Sequence, residues 1–161
     1  MKADDTPLFV TRIVKPAFSV IGFSGSTDDG DGFIAHLWEM ANCRFGEISD
    51  LVCKEPDGSP AGVWGCMSDF SLAFQPWADD FSRGLYLAGA ECPPDAKPPH
   101  GWTKWNIPGF VYLAVENTDD DAFSRMLAYL RIHNIPLAGA IQEYTHPASG
   151  KSYLYFPVER L

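Results

Sequence analysis

The chain has 161 residues, 46% of them hydrophobic and 20% charged, and 21 acidic against 12 basic residues leave a net charge of −9. At that length one domain, residues 1–161, buries roughly 70% of the surface its unfolded chain exposes, and the acidic balance with no basic cluster makes nucleic acid a poor direct partner. No apolar run approaches the roughly 20 residues of a membrane span, and Met1–Phe9 lacks a signal-peptide core, so a cytoplasmic protein is expected.

Phe9–Val14 and Phe18–Phe23 have strand character, interrupted by Lys15-Pro16-Ala17. The Asp-Gly-rich Ser24–Gly32 reads as a turn that opens onto a helix. Phe33, Leu37, Met40 and Ala41 form one apolar stripe at helical spacing, with Trp38 at its edge. Asp29 and Asp31 near its start suit the positive end of the helix dipole. After the turn-rich Glu55–Pro60 come a strand at Gly62–Met67, an irregular aromatic connection over Ser68–Asp80, and a strand at Gly84–Glu91. A proline-rich loop, Pro93–His100, leads to Trp102 and Trp105, which are expected just outside the next strand, Phe110–Glu116. Thr118-Asp119 caps a second helix whose Phe123, Met126, Leu127 and Leu130 again share one face. Asn134 and Pro136 stop it. Leu137–Tyr144 and Ser152–Val158 then form a hairpin.

Each half therefore reads β-α-β-β, over about 9–92 and about 101–161. Two such units pair into a pseudo-symmetric antiparallel sheet with helices on one face, an α+β fold. A ligand is expected on the opposite, concave face at the seam between the repeats.

Four cysteines, Cys43, Cys53, Cys66 and Cys92, stand 10, 13 and 26 residues apart with no C-x-x-C, and the four histidines make no ligand pair. Free, mostly buried thiols are expected, with no metal site. No cofactor is expected either: G-x-S-x-G, P-loop and dinucleotide fingerprints are absent, and GSTDDGDG (25–32) lacks both the lysine and the glycine spacing.

GLYLAGAE (84–91), GWTKWNIPGF (101–110), IQEYTHP (141–147) and YLYFPVE (153–159), in that order and spacing, resemble the GyrI-like small-molecule-binding family from Lys15 to Leu161. The resemblance implies a duplicated β-α-β-β (SHS2) fold. It also implies relatives of three kinds: effector domains of multidrug-sensing regulators, a DNA gyrase inhibitor, and stand-alone proteins, some of which hydrolyse cyclopropane-bearing DNA alkylators. GLYLAG and GWTKW look closest to the stand-alone branch. The family's central carboxylate, followed by an aromatic residue, matches Glu143-Tyr144. Regulators of the family carry a helix-turn-helix arm for which this chain has no room, so direct transcriptional control is not expected. A gyrase-interacting protein with an acidic surface ranks below the small-molecule readings.

The residues themselves leave choices open. Glu143, in the apolar strand LAGAIQEY, is either an exposed strand-end carboxylate or a buried one that needs a raised pKa or a cation. Glu91 is either a second pocket carboxylate or a solvated strand end. The Tyr112 hydroxyl either donates to a ligand carbonyl or tops a core ring. Glu143, Tyr112 and Glu91 are thus the candidate catalytic groups. Trp64, Trp102, Trp105, Tyr144 and Tyr155 are the candidate ligand-binding rings, suited to stacking on a planar hydrophobic or cationic molecule. Trp38 and Trp77 are expected to be structural.

Overall fold

The structure, a computed structural model, describes residues 8–161. Its elements are β1 (Thr11–Lys15), β2 (Phe18–Ser26), α1 (Phe33–Cys43), β3 (Val63–Ser68), a single turn α2 (Ala78–Phe81), β4 (Leu85–Cys92), β5 (Thr103–Ile107), β6 (Phe110–Glu116), α3 (Ala122–Ile132), β7 (Gln142–Thr145) and β8 (Ser152–Arg160). The eight strands form one antiparallel sheet in the order β1-β6-β8-β7-β3-β4-β2-β5. Read outward from the β7·β3 junction, the two halves match strand for strand. The repeats are β2-α1-β3-β4 and β6-α3-β7-β8, so the expected α+β duplication is present.

The lead-in strands cross over. β1 precedes the first repeat but pairs with β6 of the second, Lys15 opposite Phe110. β5 precedes the second repeat but pairs with β2 of the first, Ile107 opposite Phe18. Pro16 and Pro108, which cannot donate to a ladder, mark the two corners at which the chain changes partners. Trp105 lies outside Phe110–Glu116 as expected, but in a short strand of its own, β5, which the expected elements do not include. Thr103–Ile107 alternates as a strand should, with Trp105 and Ile107 buried and Asn106 exposed, but five residues between proline-rich flanks make a weak signal.

Two smaller differences concern the helix starts. Asp29 caps the turn before α1, accepting from Ser26 N–H at 2.8 Å, and α1 begins only after Gly32 in a left-handed conformation. Asp119 likewise accepts from Asp121 N–H at 2.9 Å in the turn ahead of α3. The C-terminus of α3 is as expected, with Asn134 at φ 57°.

Register identifies the faces, because directly opposed residues of an antiparallel sheet point the same way. One row runs Val115–Leu154–Glu143–Gly65–Ala88–Phe23 through β6, β8, β7, β3, β4 and β2. Its first two members pack under α3 with Met126 and Leu130. Its last two pack under α1 with Leu37 and Ala41. Both helices therefore cover one face, and Glu143–Gly65 marks the seam between them.

No helix covers the other face, yet Trp64, Trp105 and Tyr112 are only 2%, 5% and 0% exposed there. Side chains from all eight strands meet in that cluster, from Ile13 on β1 to Trp105 on β5. A sheet that buries its own uncovered face must curl around it. Among the described residues no helix is long and apolar enough to cross a membrane.

Because Trp105 packs edge-on against Phe74 with ring centroids 5.9 Å apart inside this cluster, Trp105→Ala is expected to cost about 3–5 kcal/mol of stability. Urea denaturation of the two proteins measures it; a loss under about 1 kcal/mol would place Trp105 at a binding surface instead of the core.

Candidate functional site

The seam is shaped by what its floor lacks. Gly65 has no side chain and Ala88 has one carbon, so the middle of the helix-covered face is a trough between α1 and α3. Glu143 reaches into it from β7 and Tyr86 from β4. A Cβ at Gly65 would collide with both Tyr86 Oη and Glu143 Oε1; glycine is what lets these two groups meet.

Tyr86 Oη donates to Glu143 Oε1 at 2.6 Å, and Trp38 Nε1 on α1 donates to Tyr86 Oη at 3.0 Å. Burial raises the Glu143 pKa above its ordinary value, with the Tyr86 hydrogen bond pulling the other way. Tyr86 is held far above its ordinary value, first by burial and then by the neighbouring carboxylate. Glu143 Oε2 accepts no hydrogen bond among the described residues. One carboxylate oxygen is thus fixed by the protein and the other has no hydrogen-bond partner among the described residues.

Apolar hollows flank this pair along the seam. Val63, Gly65 and Met67 are successive helix-side positions of β3. On one side of Glu143 a hollow of about 30 Å³ lies between Val63, Trp38, Phe45 and Trp102. On the other, a hollow of about 100 Å³ lies between Met67, Trp77, Phe81, Phe123 and Ile141. Both fall well short of the roughly 300 Å³ of a typical ligand site, so a drug-sized occupant has to spread the walls.

One wall is the connection from β3 to β4. Leu72, Phe74, Asp79, Asp80 and Phe81 all have positive φ there, five of the six such non-glycine residues described. Asp69 organises its start by accepting from the N–H groups of Ala73 and Gln75 at 3.0 and 3.2 Å. The segment then straddles the sheet end, giving Phe74 to the uncovered face and Trp77 to the seam, where Trp77 Nε1 donates to Leu85 O at 2.9 Å.

The structure divides the residues singled out in the sequence. Glu143 occupies the seam, on the helix-covered face and not on the opposite one as expected. Trp64, Trp105, Tyr112, Tyr144 and Tyr155 belong to the uncovered face. Trp64 is wedged among Phe18, Tyr144 and Tyr155 with centroids 4.7–5.4 Å away. Tyr112 Oη is buried with no hydrogen-bond partner among the described residues. Glu91 also lies on that face, where it accepts from Trp64 Nε1 at 3.1 Å and pairs with Lys15 at 3.3 Å. It is ion-paired there, with the sheet between it and Glu143, so the two carboxylates do not share a site. Trp102 is on the helix-covered face, in the wall of the smaller hollow, held by a tilted contact with Phe23 at 4.2 Å and a hydrogen bond donated to Glu47 at 2.9 Å.

Tyr86, Trp38, Trp77 and Phe123 are the seam residues that sequence reasoning did not select for the site. Trp38 carried one signal, its place at the border of the α1 stripe. Tyr86 carried none beyond strand alternation, because which strand faces Glu143 depends on register. A wider groove of about 660 Å³ lies on the uncovered face against Tyr144, Tyr153 and Tyr155, separated from Glu143 by the sheet. Among the described residues no group of three or more His, Cys, Asp or Glu side chains is placed to hold a metal ion.

No protein-family profile and no curated protein sequence matches the chain. Solved structures do. The C-terminal domain of EcmrR is similar over 97% of this chain and 100% of its own, with a TM-score of 0.66 at 12% identity. SAV2435 bound to tetraphenylphosphonium matches over 96% and 94% with a TM-score of 0.58, also at 12% identity. An integron cassette protein from the mobile metagenome of Vibrio cholerae matches over 93% and 95% with a TM-score of 0.59 at 15% identity. The chain shares their fold, the GyrI-like duplication that the sequence resemblance implies.

The raised Glu143 pKa carries a stability signature. The folded state keeps a proton that the unfolded chain releases near 4.5, so this stabilisation is complete below that pH and is lost as pH rises through the folded value. Relative to Glu143→Gln, whose amide oxygen still accepts from Tyr86, the wild type is expected to lose stability as pH climbs from 4.5 toward neutrality, by about 1.4 kcal/mol per pH unit of displacement. Paired denaturation curves across that range check it; a difference independent of pH would mean that Glu143 titrates as an exposed carboxyl.

Proposed function

We propose that the chain is a single small-molecule-binding domain whose ligand is a planar, hydrophobic, preferably cationic compound held in the seam between α1 and α3. The observation that carries this reading is the half-satisfied carboxylate: Glu143 is half-buried, Oε1 accepts from Tyr86, and Oε2 has no hydrogen-bond partner among the described residues, while apolar hollows lined by other residues lie to either side along the seam. A partly desolvated carboxylate without a counter-charge carries a cost. A lipophilic cation removes that cost while its rings fill the hollows against Trp38, Trp77 and Phe123. SAV2435, which shares the fold, was solved with such a cation. The acidic net charge of −9 favours the same class of ligand.

Adjacency of Glu143 and Tyr86 also favours a hydrolytic reading, in line with the cyclopropanoid hydrolases of the resembled family. Glu143 Oε2 would accept a proton from a water as its oxygen attacks the cyclopropane CH₂. The ring C–C bond breaks, and its electron pair moves into the conjugated carbonyl, which takes up a proton. Tyr86 is the hydroxyl adjacent to Glu143 for polarising that carbonyl; Tyr112, the residue first expected to do so, is on the other face. General acid–base help of about 10²–10⁴-fold is the scale required.

Tetraphenylphosphonium titrated into the protein is expected to quench the fluorescence of Trp38 and Trp77, and Glu143→Gln to weaken binding by at least about tenfold. Equal affinity in the two proteins would defeat the ligand reading. For hydrolysis, substoichiometric protein incubated with a cyclopropane-bearing alkylator is expected to convert the whole pool to its water adduct by mass spectrometry, while Glu143→Gln leaves it intact. Intact compound with the wild type as well would leave a binder without turnover of that compound.

A further inference from the structure

The chain of hydrogen bonds at the seam has a direction. An indole N–H donates and never accepts, and a phenol has one proton to give. Trp38 Nε1 donates to Tyr86 Oη at 3.0 Å, so the acceptor position of that oxygen is filled. The Tyr86 proton then goes to Glu143 Oε1, 2.6 Å away. The reverse arrangement, a protonated Glu143 donating to Tyr86, would ask the phenol oxygen to accept twice. A phenol that accepts one hydrogen bond also becomes a better donor of its own.

Resting on the reading that Glu143 meets the ligand, we propose that Trp38 is a positioning residue. By orienting the Tyr86 proton toward Oε1, it favours the ionised form of Glu143, in which Oε2 selects cations and N–H or O–H donors over ligands that present only acceptors. Helix α1 fixes Trp38 for this task, because Leu37 and Ala41 on either side of it are buried under the helix against Ile21, Phe23 and Ala88. The groups bearing on Glu143 are few. Tyr86 on β4 is the titratable neighbour, and the Cys66 thiol of β3 is felt from the uncovered face, its own pKa raised in part by Glu143. Gly65 beneath and Leu154 beside it on β8 carry no charge, and Glu91 on the far face is paired with Lys15.

The test reads the Glu143 proton directly in ligand-free protein. The protonated-carboxyl infrared band, taken as the difference between each protein and its Glu143→Gln counterpart, is followed against pH. Replacing the Trp38 indole with its benzothiophene isostere removes the N–H and keeps the shape. The midpoint is expected to rise by about one pH unit, and Trp38→Phe is expected to do the same. Tyr86→Phe should raise it as well, and the double variant should go no further than Tyr86→Phe alone, since Trp38 acts through Tyr86. An unmoved midpoint in the isostere, or shifts that simply add, would overturn the proposal.

Selectivity is read with two probes of similar shape. Tetraphenylphosphonium is a cation, and triphenylphosphine oxide presents only an acceptor. At a pH between the two midpoints, the preference for the cation is expected to fall about tenfold in the isostere. An unchanged preference despite a moved midpoint would retire the selectivity claim. If the midpoint moves while neither wild type nor Glu143→Gln distinguishes the probes, the relay stands and the ligand reading fails.

Discussion

Two halves of the sheet are joined directly at one place, the three-residue ladder Val63–Thr145, Trp64–Tyr144 and Gly65–Glu143. Everything that distinguishes this protein meets there. On the helix-covered face the ladder presents a glycine opposite a glutamate, and on the other face a tryptophan opposite a tyrosine. The glycine admits Tyr86 to the carboxylate, and the aromatic pair anchors the core on the other side. The crossed strands β1 and β5 tie each half to the other at the outer edges, so the short central ladder does not hold the molecule together alone.

The two faces solve different problems. The uncovered face has no second layer, and it is closed by bulk: rings from most of the strands fill the curl, and the ion pair Lys15–Glu91 is tucked under Phe18 and Trp64 with Lys15 Nζ 4.4 and 5.5 Å from their centroids. That packing explains why aromatic richness is a poor guide to the site, since most of these rings are consumed as core. The helix-covered face has ample apolar area under each helix but a floor of glycine and alanine between them. Burial there is incomplete, and a polar pair occupies the gap.

Incomplete burial also links site and stability. A carboxyl held above its ordinary pKa is a group the fold would rather keep neutral, and strained backbone gathers in the wall beside it. Both are local costs that the packing of the rest of the fold offsets.

Much was legible from the chain alone. Period-2 and period-3.6 alternation located the strands from Gly62, Gly84, Phe110 and Ser152 and both main helices, and the β-α-β-β duplication follows from their order. Glu143 stood out because a lone carboxylate in LAGAIQEY is costly wherever it is buried and because the family resemblance puts its central carboxylate at that position, although the residues alone leave an exposed strand end equally open. What alternation leaves undetermined is which side of the sheet each strand's apolar set faces relative to its neighbours. Tyr86 and Leu87 are both fully buried, so burial preference cannot say which of them faces Glu143. That choice is made by register, a long-range property in which a slip of one residue inverts every side chain. Sequence determined the elements, the duplication and the unusual glutamate through local patterning; only tertiary pairing decided that Glu143 meets Tyr86 and Trp38 between the helices, while Trp64, Trp105, Tyr112 and Glu91 close the opposite face.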